Sequence, residues 1–326
     1  MKITGEGGKR IALVDVARGA ALVAMAVYHF AWDLEFFGYV APGMTAEGGW
    51  KLSARAIAST FLFLVGFSLV LAHGGGVRWR GFWRRWLMVG ASAAVITILT
   101  RFAFPDSYIF FGILHQIAFA SLFGLAFLRL PWPLVLAAAL VFIAAPHVAQ
   151  HSVFDAPLLL WTGLSVHLPR SNDYVPVFPW TGAVLAGIAS AQLARGSGLT
   201  ARLAAVESPR WTALLGLAGR HSLAFYLVHQ PLLIACVWVF SQAYPADRGT
   251  PQEQFVVLCE RSCLPVRDQA FCEAYCGCAL DRLVVEDRLD DALGDGQNDE
   301  TRSWLGQLAE QCTLQVELSL EEGGAP

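Results

Sequence analysis

A row of ionisable side chains follows one face of the first apolar segment of this sequence. Asp15, Arg18, His29 and Asp33 lie within or beside the stretch GAALVAMAVYHFAWDLEFFGYV, residues 19–40. In an α-helix these four positions fall within about a 60° arc, and Arg18 and His29 are roughly 16 Å apart along the helix axis. The sequence therefore predicts a polar stripe with an Asp–Arg pair at one end of the helix and a His–Asp pair at the other.

His29 and Asp33, one helical turn apart, are the residue types of a general base and the group that orients it. A carboxylate beside an imidazole selects one tautomer and raises its basicity. Charged groups inside a membrane are costly and nearly always face protein or a water-filled path. Each pair also has a simpler interpretation: Asp15 and Arg18 as an i,i+3 ion pair at the inner interface, and His29 and Asp33 as an interfacial pair at the outer one.

Further polar side chains lie inside other apolar segments. His115 stands in FGILHQIAF, while Tyr226 and His229 lie one turn apart in a later segment. There Pro231 cannot donate to the carbonyl of Leu227, which leaves an acceptor free beside the histidine. Such groups indicate either a polar cavity or hydrogen bonds between helices that hold a bundle together.

An arginine-rich connection, GGGVRWRGFWRRW, joins the second and third apolar segments. Its four arginines are Arg78, Arg80, Arg84 and Arg85. They could attract an anionic ligand such as a nucleotide phosphate, or serve only to orient the protein in the membrane. We find no phosphate-binding glycine loop or serine elbow, and nothing in the sequence predicts nucleic-acid binding or a metal site in the apolar segments.

Membrane helices are the elements that must position these groups. The chain has 326 residues, of which 56% are hydrophobic and 15% charged, whereas a soluble domain has about 25% charged residues. Runs of roughly 20 apolar residues, enough to cross a bilayer as helix, recur along the first part of the chain. The predicted fold is all-α, a membrane bundle of about seven helices, at residues 11–32, 55–73, 86–104, 108–128, 131–149, 175–194 and 221–242.

The charge divides the chain into two parts. Residues 251–326 hold 16 acidic and 5 basic residues, a net charge of −11, and the first 250 residues carry +8. We therefore predict a membrane domain over residues 1–245 and an acidic soluble tail over residues 251–326. With the N-terminus inside, thirteen of the eighteen basic residues before residue 251 fall on the inner side or at inner helix ends. Seven crossings then place the tail on the outer side of the membrane, which is the periplasm if the membrane is a bacterial inner membrane.

The cysteines point to the same side of the membrane. Six of the seven lie in the tail, and Cys259/Cys263 and Cys272/Cys276 are i,i+4 pairs on either side of a turn, LPVRD. A helical hairpin would join Cys259 to Cys276 and Cys263 to Cys272, as disulfides that persist outside the cytoplasm. A zinc site or free thiols remain alternatives. The polar stretch 291–311 is expected to be partly disordered.

Two stretches together resemble a known family. They are RIALVDVARGAALVAMAVYHFAWDL, residues 10–34, with Asp–x–x–Arg–Gly and a histidine eleven residues after the arginine, and LAGRHSLAFYLVHQPLL, residues 217–233. Both are similar to an uncharacterised bacterial membrane family grouped with the catalytic domain of heparan-α-glucosaminide N-acetyltransferase. That resemblance implies transfer of an acyl group, expected to be acetyl, from cytoplasmic acyl-CoA to a sugar hydroxyl or amine of an envelope glycan or glycolipid. Arg18 matches the family's first-helix arginine, and His29 matches a histidine that is essential in related envelope O-acyltransferases.

The sequence thus predicts a membrane acyltransferase with acyl-CoA as co-substrate and no tightly bound cofactor. His29 would deprotonate the acceptor and Asp33 would orient it. A binding role is expected for the remaining candidates, which are Asp15, Arg18, Arg84, Arg85, His115, Tyr226 and His229. The alternative is a non-enzymatic membrane protein, either a transporter or a sensor or scaffold with a periplasmic docking tail. The paired repeats with broken helices that many transporters show are not evident.

Overall fold

The computed structural model describes residues 11–207, 209–247, 249–264, 266–294 and 299–323, and all regular structure within these ranges is helical. In the described residues, nine α-helices precede residue 245: α1 (Ala12–Phe36), α2 (Gly48–His73), α3 (Trp79–Ala103), α4 (Ile113–Gly124), α5 (Trp132–Val148), α6 (Val177–Gly196), α7 (Leu199–Ala205), α8 (Ala213–Arg220) and α9 (Ser222–Ala243). Four more follow within the same described ranges: α10 (Pro251–Cys263), α11 (Gln269–Val285), α12 (Leu289–Leu293) and α13 (Asp299–Gly323).

The predicted all-α membrane fold is confirmed. Each of the seven apolar segments coincides with a helix, and five of these, α1, α2, α3, α6 and α9, are long and apolar enough to cross a membrane. The other two are shorter: α4, which a 3-10 turn extends to Phe127, and the 17-residue α5. At 1.5 Å per residue α5 is about 25 Å long, somewhat less than the roughly 30 Å of a bilayer's hydrocarbon core.

Large apolar side chains on the outside of the bundle fit a lipid environment. On α3, Phe102 is 82% exposed, and α5 and α9 show the same pattern. Water would penalise apolar surface of this extent, whereas lipid would not. The apolar runs therefore serve two purposes, since one side of each helix packs inward and the other faces the bilayer.

The chain divides into two compact units. One comprises residues 11–33 and 43–239 of the described chain, and the other comprises residues 34–42 and 240–323. The first holds almost all of the apolar helices. The second holds the cysteine-rich helices together with a short segment around Tyr39, whose hydroxyl donates to the carbonyl of Tyr244.

The centre of the first unit is α6, which packs between α2 and α5. Leu185 and Ile188 are fully buried there. Gly66 of α2 lies against the backbone carbonyl of Val184, and Gly187 of α6 lies against that of Phe63, so that a methyl group on either glycine would overlap an oxygen of the other helix. Small residues of this kind let membrane helices approach closely when no hydrophobic force drives them together.

A second glycine contact joins the two stretches that carry the family resemblance. Gly19, beside Arg18 on α1, lies against the carbonyl of Leu215, and Gly219 on α8 lies against the carbonyl of Asp15. No side chain larger than hydrogen fits at either position without moving backbone. The glycines of both motifs are therefore explained by packing, because they bring α8 against the beginning of α1.

Disulfides hold the second unit together. Cys259 is bonded to Cys276 and Cys263 to Cys272, the pairing that the helical hairpin predicted. The hairpin helices begin at well-formed caps: Thr250 and Glu253 form a reciprocal capping box at α10, and the Asp268 side chain accepts from the Phe271 N–H at α11. Because these four sulfurs are in disulfides, the zinc alternative does not apply to them.

The last helix lies partly in the stretch 291–311, which was expected to be partly disordered. There α13 is a 25-residue helix whose Leu308, Cys312 and Val316 are buried. A third disulfide, Cys278–Cys312, ties it to α11. Within the described residues, a disulfide and buried apolar side chains therefore accompany helix where local polarity predicted partial disorder. Residues 295–298 lie outside the described residues.

Candidate active site

The histidine cluster is defined as His29 and Asp33 on α1 with Tyr226, His229 and Gln230 on α9. The rings of His29 and His229 meet edge to face, with their centroids 5.1 Å apart. Asp33 is fully buried and His229 is 7% exposed. Two candidates that the sequence placed in different motifs therefore lie side by side.

Asp33 is held by α9 rather than by its own helix. Its Oδ1 atom accepts a hydrogen bond of 2.7 Å from Nε2 of Gln230, while no hydrogen bond joins it to His29 among the described residues. The helix does continue past Asp33, as the predicted pairing required, but a neutral donor from the neighbouring helix reaches the carboxylate instead. Sequence reasoning did not single out Gln230, although it directly follows His229 in the second motif.

A backbone hydrogen bond fixes the tautomer of His229. Its Nδ1 atom lies 2.7 Å from the carbonyl oxygen of Tyr226. Since a carbonyl oxygen can only accept, Nδ1 carries the hydrogen and Nε2 of the neutral ring carries the lone pair. Phe225 stacks on the same imidazole at 6.0 Å between centroids, which holds the ring in place.

Three atoms of the cluster are buried without a hydrogen-bond partner in the described part of the chain. They are Oδ2 of Asp33, Nε2 of His229 and Oε1 of Gln230. Buried polar atoms in folded proteins are nearly always paired, with protein or with an ordered molecule. Because Asp33, His229 and Gln230 belong to one cluster, these atoms are candidates to bind polar groups of a substrate or water.

Aromatic residues border the His29 side of the cluster. Tyr28 meets His29 edge to face at 5.8 Å and lies 6.2 Å from Trp50, again between ring centroids. The Tyr28 hydroxyl donates to the carbonyl of Thr45 at 3.3 Å. The contact between Tyr28 and Thr45 could not be predicted from the sequence, because the segment that carries Thr45 has no regular periodicity.

The other end of the polar stripe contains the predicted ion pair. Nη1 of Arg18 lies 3.4 Å from Oδ1 of Asp15, whose side chain is buried, and Nη2 donates to the hydroxyl of Ser68 on α2. The interpretation of Asp15 and Arg18 as an i,i+3 pair is therefore confirmed, with an added contact to a second helix. Arg18 is positioned by both partners.

A cavity of about 340 Å³ lies between α2, α3 and α4. Its polar lining consists of Ser68, His73, Arg78, Arg85 and Ser121. His73 accepts from the Arg78 N–H at 3.2 Å, and the Arg78 Nε donates to the Ala72 carbonyl at 3.1 Å, so this arginine is anchored at the cavity. Ser68 lines the cavity and also accepts the hydrogen bond from Arg18, so the Asp15–Arg18 pair lies next to this basic pocket.

The two predicted binding arginines on α3, Arg84 and Arg85, differ in their position relative to this cavity. Arg85 lines the basic cavity, whereas Arg84 lies outside that lining. Adjacent residues on a helix point about 100° apart, so only one of the two can face a given pocket. Of the arginines in the connection, Arg78 and Arg85 are the ones that the structure brings together.

His115 lies at the start of α4 and has a structural role. Its Nδ1 atom accepts from the Gly112 N–H at 3.2 Å, and Nε2 lies 3.1 Å from the hydroxyl of Thr97. That hydroxyl donates to the carbonyl of Ile109 and so accepts from the imidazole. Both ring nitrogens are occupied, which matches the interpretation of His115 as a group that holds helices together.

Asp173, in the connection before α6, is a buried carboxyl that the sequence did not single out. Its Oδ2 atom accepts from the Ile113 N–H at 2.8 Å and thereby caps α4. Burial raises the pKa of Asp173 to about 6, while the hydrogen bond from Ile113 acts in the opposite direction. Asp173 is also close enough to Tyr226 for the two groups to interact electrostatically, so the cap stands beside the histidine cluster.

The fold and the site define a class of protein: a multi-pass helical membrane protein with a buried histidine cluster between its first and last apolar helices. The family described as "Heparan-alpha-glucosaminide N-acetyltransferase, catalytic" matches residues 10–231, about two thirds of the chain, and the protein belongs to that family. No curated protein and no solved structure matches it significantly. The matched range begins just before α1 and ends at Pro231, directly after Gln230, so it contains the whole histidine cluster.

Proposed function

We propose that the protein is an acyltransferase of the bacterial inner membrane that moves an acyl group, in the first place acetyl, from cytoplasmic acyl-CoA to a glycan or glycolipid in the periplasm. Family membership supports a membrane acetyltransferase. The observation that carries the proposal is the histidine cluster, which brings residues of the two family motifs into contact and contains buried acceptor atoms. Histidine and carboxylate side chains are groups that act in general base catalysis, which typically contributes about 10²–10⁴-fold to a rate.

The basic cavity is the proposed binding site for the acyl donor. CoA carries phosphates, and Arg78 and Arg85 place positive charge in a pocket large enough for part of such a molecule. Arg18, bonded to Ser68 at the edge of that cavity, adds a third guanidinium. These three arginines would hold the anionic part of the donor at the cytoplasmic end of α1.

In the reaction the hydroxyl or amine of the acceptor attacks the thioester carbonyl of acyl-CoA. A bond forms between the acceptor oxygen or nitrogen and the acyl carbon, and the bond from carbon to sulfur breaks. A histidine of the cluster takes the acceptor's proton, which finally reaches the CoA thiolate. The products are the acylated acceptor and free CoA, so atoms and charge balance without a further reactant.

The proposal is tested by mass spectrometry of envelope glycans and glycolipids. Three strains are compared: a deletion strain complemented with the wild-type protein, with His29→Ala, or with an empty vector. An acyl-sized mass that is present with the wild-type protein and absent with the empty vector would establish the transfer and name the acceptor. A smaller amount of that product with His29→Ala would tie the histidine cluster to the reaction. His147→Ala, on an exposed part of α5, is the matched control and should retain the product.

Identical spectra in all strains would contradict the proposal and favour the transporter or scaffold interpretation. Binding of acetyl-CoA to the purified protein in nanodiscs separates these classes directly. An acyltransferase requires saturable binding that weakens when Arg85 is replaced by glutamine, whereas a scaffold protein has no reason to bind CoA at all.

A further inference from the structure

We infer that His229, through its Nε2 atom, is the general base of the histidine cluster, and that the cluster selects an acceptor presenting several neighbouring O–H or N–H donors. The inference rests on the proposed acyl transfer and assigns a different histidine from the one that the sequence favoured. Its basis is the pattern of hydrogen bonds around the two imidazoles and the chemistry of the atoms that remain.

A general base needs a lone pair on a defined atom that faces the substrate. His229 has this: the Tyr226 carbonyl holds hydrogen on Nδ1, and Nε2 is buried with no partner within the described residues. His115 is the informative comparison, because its two nitrogens both have partners and neither is available. Of the two histidines on α4 and α9, only His229 is oriented for proton transfer.

His29 is not oriented in this way. In the described part of the chain no hydrogen bond fixes its tautomer, and the carboxylate expected to do so is bonded to Gln230. Its ring lies edge to face against His229, with the ring centroids 5.1 Å apart. We therefore assign His29 a positioning role, in which its ring packs against His229 and keeps that imidazole in place.

The three unpartnered atoms identify the kind of ligand. His229 Nε2, Asp33 Oδ2 and Gln230 Oε1 are all hydrogen-bond acceptors, and the orientation of the Gln230 amide follows from its bond to Asp33. A ligand that satisfies them must offer donors. Neighbouring hydroxyls of a sugar, or a hydroxyl beside an amine, fit this demand, whereas a fully ionised phosphate or carboxylate has no hydrogen to donate to these three atoms.

In the proposed reaction, Nε2 of His229 is the atom that takes the acceptor's proton. The donor O–H or N–H that faces His229 gives its proton to Nε2 as the acceptor attacks the thioester. A second donor on the same ligand is held by Asp33 and Gln230, which fixes the direction of attack. The imidazolium later returns the proton to the CoA thiolate.

Nitrogen NMR of the full chain in nanodiscs tests the tautomer without any substrate. The protein is labelled with ¹⁵N-histidine, and resonances are assigned by comparing wild type with His229→Gln, His29→Gln and the exposed control His147→Gln. We expect the signal lost in His229→Gln to come from a neutral ring with an unprotonated Nε2. A hydrogen on Nε2 of His229 at neutral pH would overturn the assignment.

A pH–rate comparison tests the role, with acetyl-labelled acetyl-CoA as donor and the host's glycolipid extract as acceptor. We expect His229→Gln to lower kcat about 10²-fold or more and to abolish the rise of kcat/KM with pH. His29→Gln should lower the rate less and keep that rise, at a shifted pH. If His29→Gln abolishes the rise and His229→Gln keeps it, the base is His29 and the inference is wrong, although acyl transfer stands. If the wild-type protein transfers no label, acyl transfer itself fails, and the NMR result still decides the tautomer.

Discussion

At the scale of single residues, the contact between Asp33 and Gln230 determines how the cluster is held together. A carboxylate with no exposed surface needs a donor, and Gln230 supplies it across 197 positions of sequence. A buried acceptor that loses its partner costs about 1–3 kcal/mol, and a charged one costs more. The amide is therefore expected to matter for stability as well as for substrate binding.

This expectation gives a double-variant prediction. Gln230→Leu should lower the melting temperature, because Asp33 stays buried with no donor. Adding Asp33→Leu should restore much of the loss, since two apolar side chains of similar size leave no unpaired group behind. The measurement is thermal denaturation in detergent, followed by size-exclusion chromatography. Equal or larger destabilisation in the double variant would show that the hydrogen bond is not the source of the effect.

At the scale of helices, glycine contacts set the distances between the elements. Gly66 and Gly187 each lie against a carbonyl of the opposite helix, and Gly19 and Gly219 do the same for α1 and α8. Such contacts leave no room for adjustment, because the obstructing atoms belong to backbone. Helix spacing in the first unit is thus encoded at a few positions where a side chain is absent.

Gly187→Ala should accordingly destabilise the protein strongly, by separating α6 from α2. Gly90→Ala is the matched control: Gly90 also lies within a long apolar helix, yet a methyl group there meets open space. On helix propensity alone alanine is favoured by about 1 kcal/mol at both positions, so opposite outcomes isolate the packing effect. Similar thermal stabilities for the two variants would contradict the close contact.

The sequence predicted the helices well and their partners poorly. Apolar runs indicated all seven long segments, and i,i+4 spacing indicated two disulfides, because both signals are local. The meeting of His29 with His229 depends on which helices pack together, and periodicity within one helix does not carry that information. The same limit explains why Gln230, Asp173 and the Cys278–Cys312 bond were missed.

At the scale of the whole molecule, two units differ in charge, composition and covalent chemistry. Three disulfides lie in the acidic unit, while Cys236 of α9 is a free thiol in the described part of the chain. Disulfides persist in oxidising compartments and are rare in the cytosol. Their presence fits a tail outside the cytoplasm, which the distribution of arginines and lysines also predicts.

Cysteine alkylation in acid-quenched cells tests this prediction. Only Cys236 should react with a maleimide reagent before reduction, and all seven cysteines should react afterwards. Cys236→Ser is the control and should give no modification until the reductant is added. Modification of tail cysteines in unreduced samples would mean that the disulfides do not form in the cell, and the periplasmic assignment would lose its chemical support.

The position of the histidine cluster also has a consequence for biogenesis. Its two halves come from the first apolar helix to be synthesised and the last, so Asp33 enters the membrane long before its donor exists. Gln230 follows Asp33 by 197 positions, so at about 5–20 residues per second the wait is about 10–40 s. During that interval the nascent chain holds a carboxylate whose eventual partner has not been translated. Chains that stop short of Gln230 lack this donor altogether, and Asp33 then remains in an apolar segment without it.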